Sequence, residues 1–188
     1  MNERGTLTGK DDNGTTWTYT GDILNGLRHG KGKTAWSDGY VYEGDFANGA
    51  PNGKGKMTAT NGEVYEGDVV DGMPHGKGKM TFASGSVYEG DFVDGAPNGK
   101  VKMTATNGEV YEGDVVDGKP HGKGKTISAS GDVYEGDFVD GIKHGKGKMT
   151  VVEGDVFEGD FVDNKPAKGK VTFADGEVAE GNFDDIIS

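Results

Sequence analysis

The sequence predicts an all-β fold: an elongated, twisted, single-layer antiparallel sheet of tandem β-hairpins. Three observations lead there. A Tyr-x-Gly triplet recurs every 23 residues, at Tyr19, Tyr42, Tyr65, Tyr88, Tyr111 and Tyr134, and Phe157 continues the series. Around each triplet, charged residues alternate with apolar or small ones at the two-residue period of a strand. Turn-forming residues then follow at fixed offsets. The 36 glycines and the 32% hydrophobic content would ordinarily indicate disorder. Glycines at constant intervals indicate a repeat array instead.

The elements follow in chain order. Gly5-Thr6-Leu7-Thr8 reads as the second strand of a hairpin without its first, and Asp11-Asp12-Asn13-Gly14 as the turn after it. Residues 1–18 are therefore expected to form an N-terminal capping half-repeat, and residues 19–177 the tandem hairpins. In one repeat, Val64–Val70 forms the first strand, with Tyr65, Gly67 and Val69 on one face and Val64, Glu66, Asp68 and Val70 on the other. Asp71–Gly76 reads as a turn and Lys77–Phe82 as the second strand, which places Gly78 and Met80 with Tyr65, and Lys77 and Lys79 beside Glu66 and Asp68. A strand glycine leaves a gap over which an aromatic ring can lie. Residues 56–72 reappear unchanged as 102–118, so pairs of repeats form a longer unit. Near the C-terminus Asn164 replaces glycine, and Ala167-Lys168 stands where His-Gly-Lys is expected. An eighth copy at Val178-Ala179-Glu180-Gly181 arrives one residue early, and residues 178–188 are read as a degenerate cap.

The run Tyr65-Glu66-Gly67-Asp68-Val69-Val70-Asp71-Gly72-Met73-Pro74-His75-Gly76-Lys77-Gly78 resembles the MORN (membrane occupation and recognition nexus) repeat, whose pattern is roughly YxGxWxxGxxHGxG. The resemblance extends from residue 19 to about residue 176. It departs from the family at the tryptophan position, which holds Ile23, Phe46, Val69, Phe92, Val115, Phe138 and Phe161. The resemblance implies a non-enzymatic protein-binding scaffold in a cytoskeletal, ciliary or membrane-associated assembly, and a cytoplasmic location. It also implies a protein partner, such as a helix or an extended segment held in a groove, and homo-oligomers formed through terminal repeats. Two alternatives accompany this reading: a phosphoinositide or membrane-surface binding module, and a bacterial immunity or antitoxin-type repeat protein.

Composition and motifs bound the function further. There is no cysteine, which excludes disulfides and cysteine-ligated metals. The net charge of −12 opposes nucleic acid and disfavours anionic lipid. The polar start of the chain carries no signal-peptide pattern, and no segment has the ~20 apolar residues of a membrane-spanning helix. His29, His75, His121 and His144 share one repeat position with Asn52 and Asn98, a pattern of turn residues rather than of zinc ligands. Gly32-Lys33-Thr34 and Gly124-Lys125-Thr126 imitate the end of a phosphate loop, but Leu27 and Lys119 stand where its first glycine is required. Carboxylates repeated along a solvated face lack the singular environment of a catalytic acid. No catalytic residue, metal or cofactor is expected. The candidate partner-binding residues are the aromatic stripe Tyr42, Phe46, Tyr65, Tyr88, Phe92, Tyr111, Tyr134 and Phe138.

Overall fold

The structure is a computed structural model that describes residues 3–186. Residues 1–2 and 187–188, assigned above to the terminal caps, lie outside the described residues. The chain is all-β and forms two compact units, residues 1–96 and 97–188. The first holds β1 (Glu3–Lys10), β2 (Thr16–Leu24), β3 (Leu27–Trp36), β4 (Val41–Ala47), β5 (Ala50–Thr58), β6 (Val64–Val70), β7 (Met73–Thr81) and β8 (Val87–Val93). The second holds β9 (Ala96–Thr104), β10 (Val110–Val116), β11 (Lys119–Ile127), β12 (Val133–Val139), β13 (Ile142–Thr150), β14 (Val156–Val162), β15 (Lys165–Thr172), β16 (Val178–Asn182) and a final turn of helix, α1 (Phe183–Ile186). Within each unit every strand pairs antiparallel with the next in sequence.

The hairpins close through two-residue turns with left-handed backbone. Asp71 and Gly72 have φ of 48° and 81°, the type I′ geometry whose twist matches that of the strands it joins. Asn25, Asn48, Asp94, Asp117 and Asp140 take the same place, all at 48–52°, and these side chains tolerate that region best. The turn is thus shorter than the six residues Asp71–Gly76 expected from composition. Met73–Gly76 belongs to β7, and its surplus is absorbed in a bulge. Gly67 pairs with Gly78 and Val69 with Pro74, which leaves His75, Gly76 and Lys77 opposite Asp68 alone. In the last hairpin Gly159 pairs with Gly169, Asp160 with Lys168 and Phe161 with Pro166, so only Ala167 is extra. The eighth copy arrives one residue early because the seventh repeat has lost that residue from its bulge, and the pairing on either side of the bulge is unchanged.

The two faces divide as the alternation predicts, with Tyr65 opposite Met80 and Glu66 opposite Lys79. The ion pairs, however, run between hairpins rather than within them. Asp68 and Glu66 meet Lys54 (2.6 Å) and Lys56 (2.9 Å) of the preceding repeat, while Lys77 and Lys79 reach forward to Asp91 (2.7 Å) and Glu89 (3.2 Å). The second unit repeats the ladder, with Lys100–Asp114, Lys102–Glu112 and their successors. These pairs are solvent-exposed, so each contributes little by itself, but within each unit they recur between every hairpin and the next. The opposite face holds the core. In the first unit it comprises Tyr19, Tyr42, Phe46, Met57, Tyr65, Val69 and Phe92. In the second unit Tyr111, Val115, Tyr134, Phe138, Phe157 and Phe161 are buried.

Candidate functional site

The aromatic face is built from one repeated unit of packing. The Tyr65 ring lies flat over Gly78, where an added Cβ would run into the ring. Its hydroxyl donates to the Asp68 carbonyl at 2.7 Å. Tyr19, Tyr42, Tyr111 and Tyr134 make the same bond to Asp22, Asp45, Asp114 and Asp137. Burial pushes the Tyr42, Tyr65 and Tyr134 phenols up to about 12. The residue at the family's tryptophan position then wedges edge-on between rings. Phe46 stands 4.9 Å from Tyr19 and 5.0 Å from Tyr42, and Phe138 stands 5.3 Å from Tyr111 and 5.2 Å from Tyr134. Such T-shaped pairs contribute roughly 0.5–1.5 kcal/mol each beyond area burial.

Seven of the eight candidate binding residues, all except Tyr88, are buried in this packing. They form the floor of the face. Tyr88 is half-buried and pairs with Phe82 at 5.6 Å. In β7 the glycine that receives the preceding tyrosine ring is Gly78; in β9 the same place holds Val101. A second half-buried pair, Trp36–Tyr40 at 5.2 Å, stands near Trp17, which pairs across the strands with Trp36. Sequence reasoning missed Trp17, Trp36, Tyr40 and Phe82, which lie off the repeating tyrosine position. The signal was available in that Trp17 and Trp36 are the chain's two tryptophans.

Two cations also lie on this face. Five repeats place proline at the first core-facing position after the hairpin turn, but Arg28 and Lys143 replace it once in each unit. The Arg28 guanidinium sits 4.4 Å from the centre of the Trp17 ring, donates from Nε to the Gly49 carbonyl and leaves Nη1 buried without a hydrogen-bond partner. Lys143 Nζ lies 5.0 Å from the centre of the Tyr134 ring, and burial pulls its ammonium below the usual range. In the second unit a cavity of about 290 Å³ opens among Met149, Val151, Phe157, Val171, Phe173 and Phe183. Its walls are almost wholly apolar, suited to an aliphatic or proline side chain.

The remaining motifs take structural places. His75, His121 and His144 approach the turn carboxylates Asp94, Asp140 and Asp163 at 3.6–3.9 Å. Among the described residues no three His, Cys, Asp or Glu side chains gather as a metal site. Among them, too, no helix is long and apolar enough to cross a membrane.

The MORN repeat family matches seven consecutive stretches, 19–39, 42–64, 65–87, 88–110, 111–133, 134–156 and 157–178. The chain belongs to the MORN-repeat family. No curated protein matches this MORN array. Among solved structures it is similar to the TCP domain of Drosophila melanogaster SAS-4 (dCPAP) in complex with a proline-rich motif of Ana2 (dSTIL). The identity there is 10%, the TM-score 0.53, and the match covers 93% of the MORN chain and 87% of that one. At that identity the likeness is one of fold. A Staphylococcus aureus virginiamycin B lyase with quinupristin is also matched, at 14% identity over 97% of this chain and 74% of that one, but its TM-score of 0.19 is below that of a shared fold.

Proposed function

We propose that the chain is a non-enzymatic scaffold that holds an extended segment of a partner protein on its aromatic face. The observation that carries this reading is the pair of half-buried ring contacts, Trp36–Tyr40 and Phe82–Tyr88, standing on an otherwise closed aromatic floor in the first unit. Exposed aromatic edges beside a rigid floor suit a proline-rich or otherwise extended chain, which loses little conformational entropy on binding. The proline-rich motif in the fold neighbour's complex supports the same class of ligand. A lipid reading rests on the lysine ladder, and those lysines already face carboxylates at hydrogen-bonding distances, as Lys54 faces Asp68 and Lys56 faces Glu66.

Trp17 and Trp36 report directly on this face, so intrinsic fluorescence titration with proline-rich peptides tests the proposal. Trp36→Ala and Tyr88→Ala are each expected to weaken binding by about tenfold, at a temperature where circular dichroism shows each variant folded. Tyr111→Phe, at a buried ring, is expected to leave affinity unchanged. Equal affinity in wild type and the Trp36→Ala/Tyr88→Ala double variant would remove the aromatic face from the hypothesis.

A further inference from the structure

The rule that places proline at the first core-facing position after the hairpin turn is broken once in the first unit, by Arg28. Pro51, Pro74, Pro97, Pro120 and Pro166 keep it. Proline suffices to build the hairpin in those five repeats, so folding does not call for a cation at this place. The Arg28 guanidinium is nevertheless held firmly on the aromatic face. It lies 4.4 Å from the centre of the Trp17 ring and 5.7 Å from that of Phe46. Its Nε donates to the Gly49 carbonyl at 2.8 Å.

What this cation lacks is an anion. Among the described residues no carboxylate forms an ion pair with Arg28. Asp11 lies near enough for its field to act on the guanidinium, but its Oδ2 accepts from Trp36 Nε1 at 3.1 Å. Only two buried side-chain polar atoms among the described residues have no hydrogen-bond partner, and Arg28 Nη1 is the charged one. Burial accordingly pulls the guanidinium below its usual range. On the opposite face the ladder lysines from Lys31 to Lys79 each meet a carboxylate. Anions are not scarce in the chain, which has 32 acidic residues against 20 lysines and arginines. A partly desolvated charge left unpaired is costly, and an anion brought to it recovers that cost.

We propose that Arg28 makes the aromatic face of the first unit selective for an extended partner segment that carries a single Asp or Glu side chain. The proposal rests on that face being the docking surface, and it adds the chemistry of what docks there. Arg28 stacks on Trp17, and Trp17 pairs across the strands with Trp36, whose contact with Tyr40 forms the half-buried aromatic edge. A segment lying on Trp36 and Tyr40 therefore passes beside the guanidinium. With Nε taken by Gly49 and Nη1 enclosed, Nη2 is the group left to meet a carboxylate. Such a charge-assisted bond is stronger beside desolvating rings than in open water. The net charge of −12 sets the limit on the other side. It repels a long acidic run, so the occupant that fits is one carboxylate within an otherwise uncharged segment.

Three proline-run peptides, capped at both ends and differing only in a central glutamate, glutamine or lysine, test this. The uniform run lets each peptide slide until its central residue reaches Arg28. Binding is read by the fluorescence of Trp17 and Trp36, both in the first unit, at physiological salt, where charges beyond about 8 Å are largely screened. The glutamate peptide is expected to bind wild type about tenfold more tightly than the glutamine peptide, and the lysine peptide most weakly. Arg28→Gln and Arg28→Pro, the second restoring the residue of five other repeats, are expected to abolish that preference and leave the glutamine peptide's affinity unchanged. Arg28→Lys keeps the charge and is expected to retain a smaller preference; circular dichroism verifies that each variant is folded. Equal binding of the glutamate and glutamine peptides by wild type would overturn the proposal and leave the aromatic face standing as a docking surface. A glutamate preference that survives in Arg28→Gln would overturn it too, by placing the anion elsewhere. Failure of all three peptides to bind would remove the aromatic-face reading and this proposal together.

Discussion

At the scale of the residue, Asp68 joins three parts of the structure. Its carbonyl accepts from the Tyr65 hydroxyl, its Oδ2 accepts from the Lys77 backbone N–H across the bulge at 3.1 Å, and its Oδ1 meets Lys54 Nζ of the preceding repeat at 2.6 Å. The side chain thus fixes the bulge and ties two hairpins together. Asp68→Asn keeps an acceptor for the Lys77 N–H and loses the ion pair, so urea melts are expected to show a cost of about 0.5 kcal/mol. Asp68→Ala loses both and is expected to cost about 1–2 kcal/mol; equal costs would refute the role in the bulge. The glycines separate in the same way. Gly62 has φ of 89° with open space around its missing Cβ, whereas Gly78 lies under the Tyr65 ring. Gly62→Ala is expected to cost about 1 kcal/mol from backbone strain, and Gly78→Ala about 2–4 kcal/mol because the tyrosine must leave its place. The ring-over-glycine contact was legible from the fixed Tyr-x-Gly spacing. The triple use of Asp68 was not, because a carboxylate repeated on a solvated face looks only like a ladder partner until the bulge brings the Lys77 amide to it.

At the scale of the element, the hairpins lock to one another through their turns. The Gly72 N–H donates to the Pro51 carbonyl and the Gly95 N–H to the Pro74 carbonyl, each onto the repeat before. The last such contact is rewritten by two substitutions that compensate one another. Lys143 stands at the proline position and so brings a backbone N–H, and Asn164 stands at the glycine position and accepts it through Oδ1 at 2.9 Å. Asn164 still donates its own N–H to the Lys143 carbonyl at 3.0 Å. Lys143→Pro and Asn164→Gly, which restore the common pair, are expected to be non-additive by about 0.5–1 kcal/mol in a double-mutant cycle; strict additivity would show that the two positions are independent. Sequence reading recognised Asn164 as a departure but not its partner, since 21 residues separate them and only the stacking of hairpins brings them together. The turn length was misread for a related reason. Met73-Pro74-His75-Gly76 has the composition of a loop, but its pairing to Val69 and Val70 makes it strand, and the glycine serves the bulge.

At the scale of the whole molecule, the packing within each unit passes from one repeat to the next, as in other repeat arrays, and titration should disturb it from both ends of the pH range. Hydrogen bonds from Lys56, Lys102 and Lys148 hold the Glu66, Glu112 and Glu158 carboxyls below their usual 4.5. Carboxyls depressed in the folded state contribute stability that is fully present above that ordinary value and is lost as pH falls through the lower folded ones. The thermal midpoint should therefore be flat near neutrality and decline below pH 4.5. The phenols act in the opposite sense. Raised from 10 to about 12 in Tyr42, Tyr65 and Tyr134, they contribute stability below pH 10 that disappears as pH climbs through the folded value. Tyrosinate absorbance and loss of sheet should appear in one transition between these limits; tyrosines ionising near 10 with the sheet intact would contradict their burial. The repeat period, the faces and the aromatic floor were legible in the sequence because each recurs. What the sequence understated was how completely the rings are consumed by packing. The left-handed turns also bear on chemical ageing. Asparagine or aspartate before glycine is prone to cyclise, because the glycine nitrogen can attack the side-chain carbonyl, and the Asn48-Gly49 and Asp71-Gly72 turns are such pairs. In the folded array the Gly49 and Gly72 nitrogens donate to the Arg28 and Pro51 carbonyls of the neighbouring repeat, which holds them away from that reaction. Deamidation and isoaspartate formation at these turns should therefore proceed only as fast as a hairpin detaches, making the stacking of repeats the clock for the covalent lifetime of the chain.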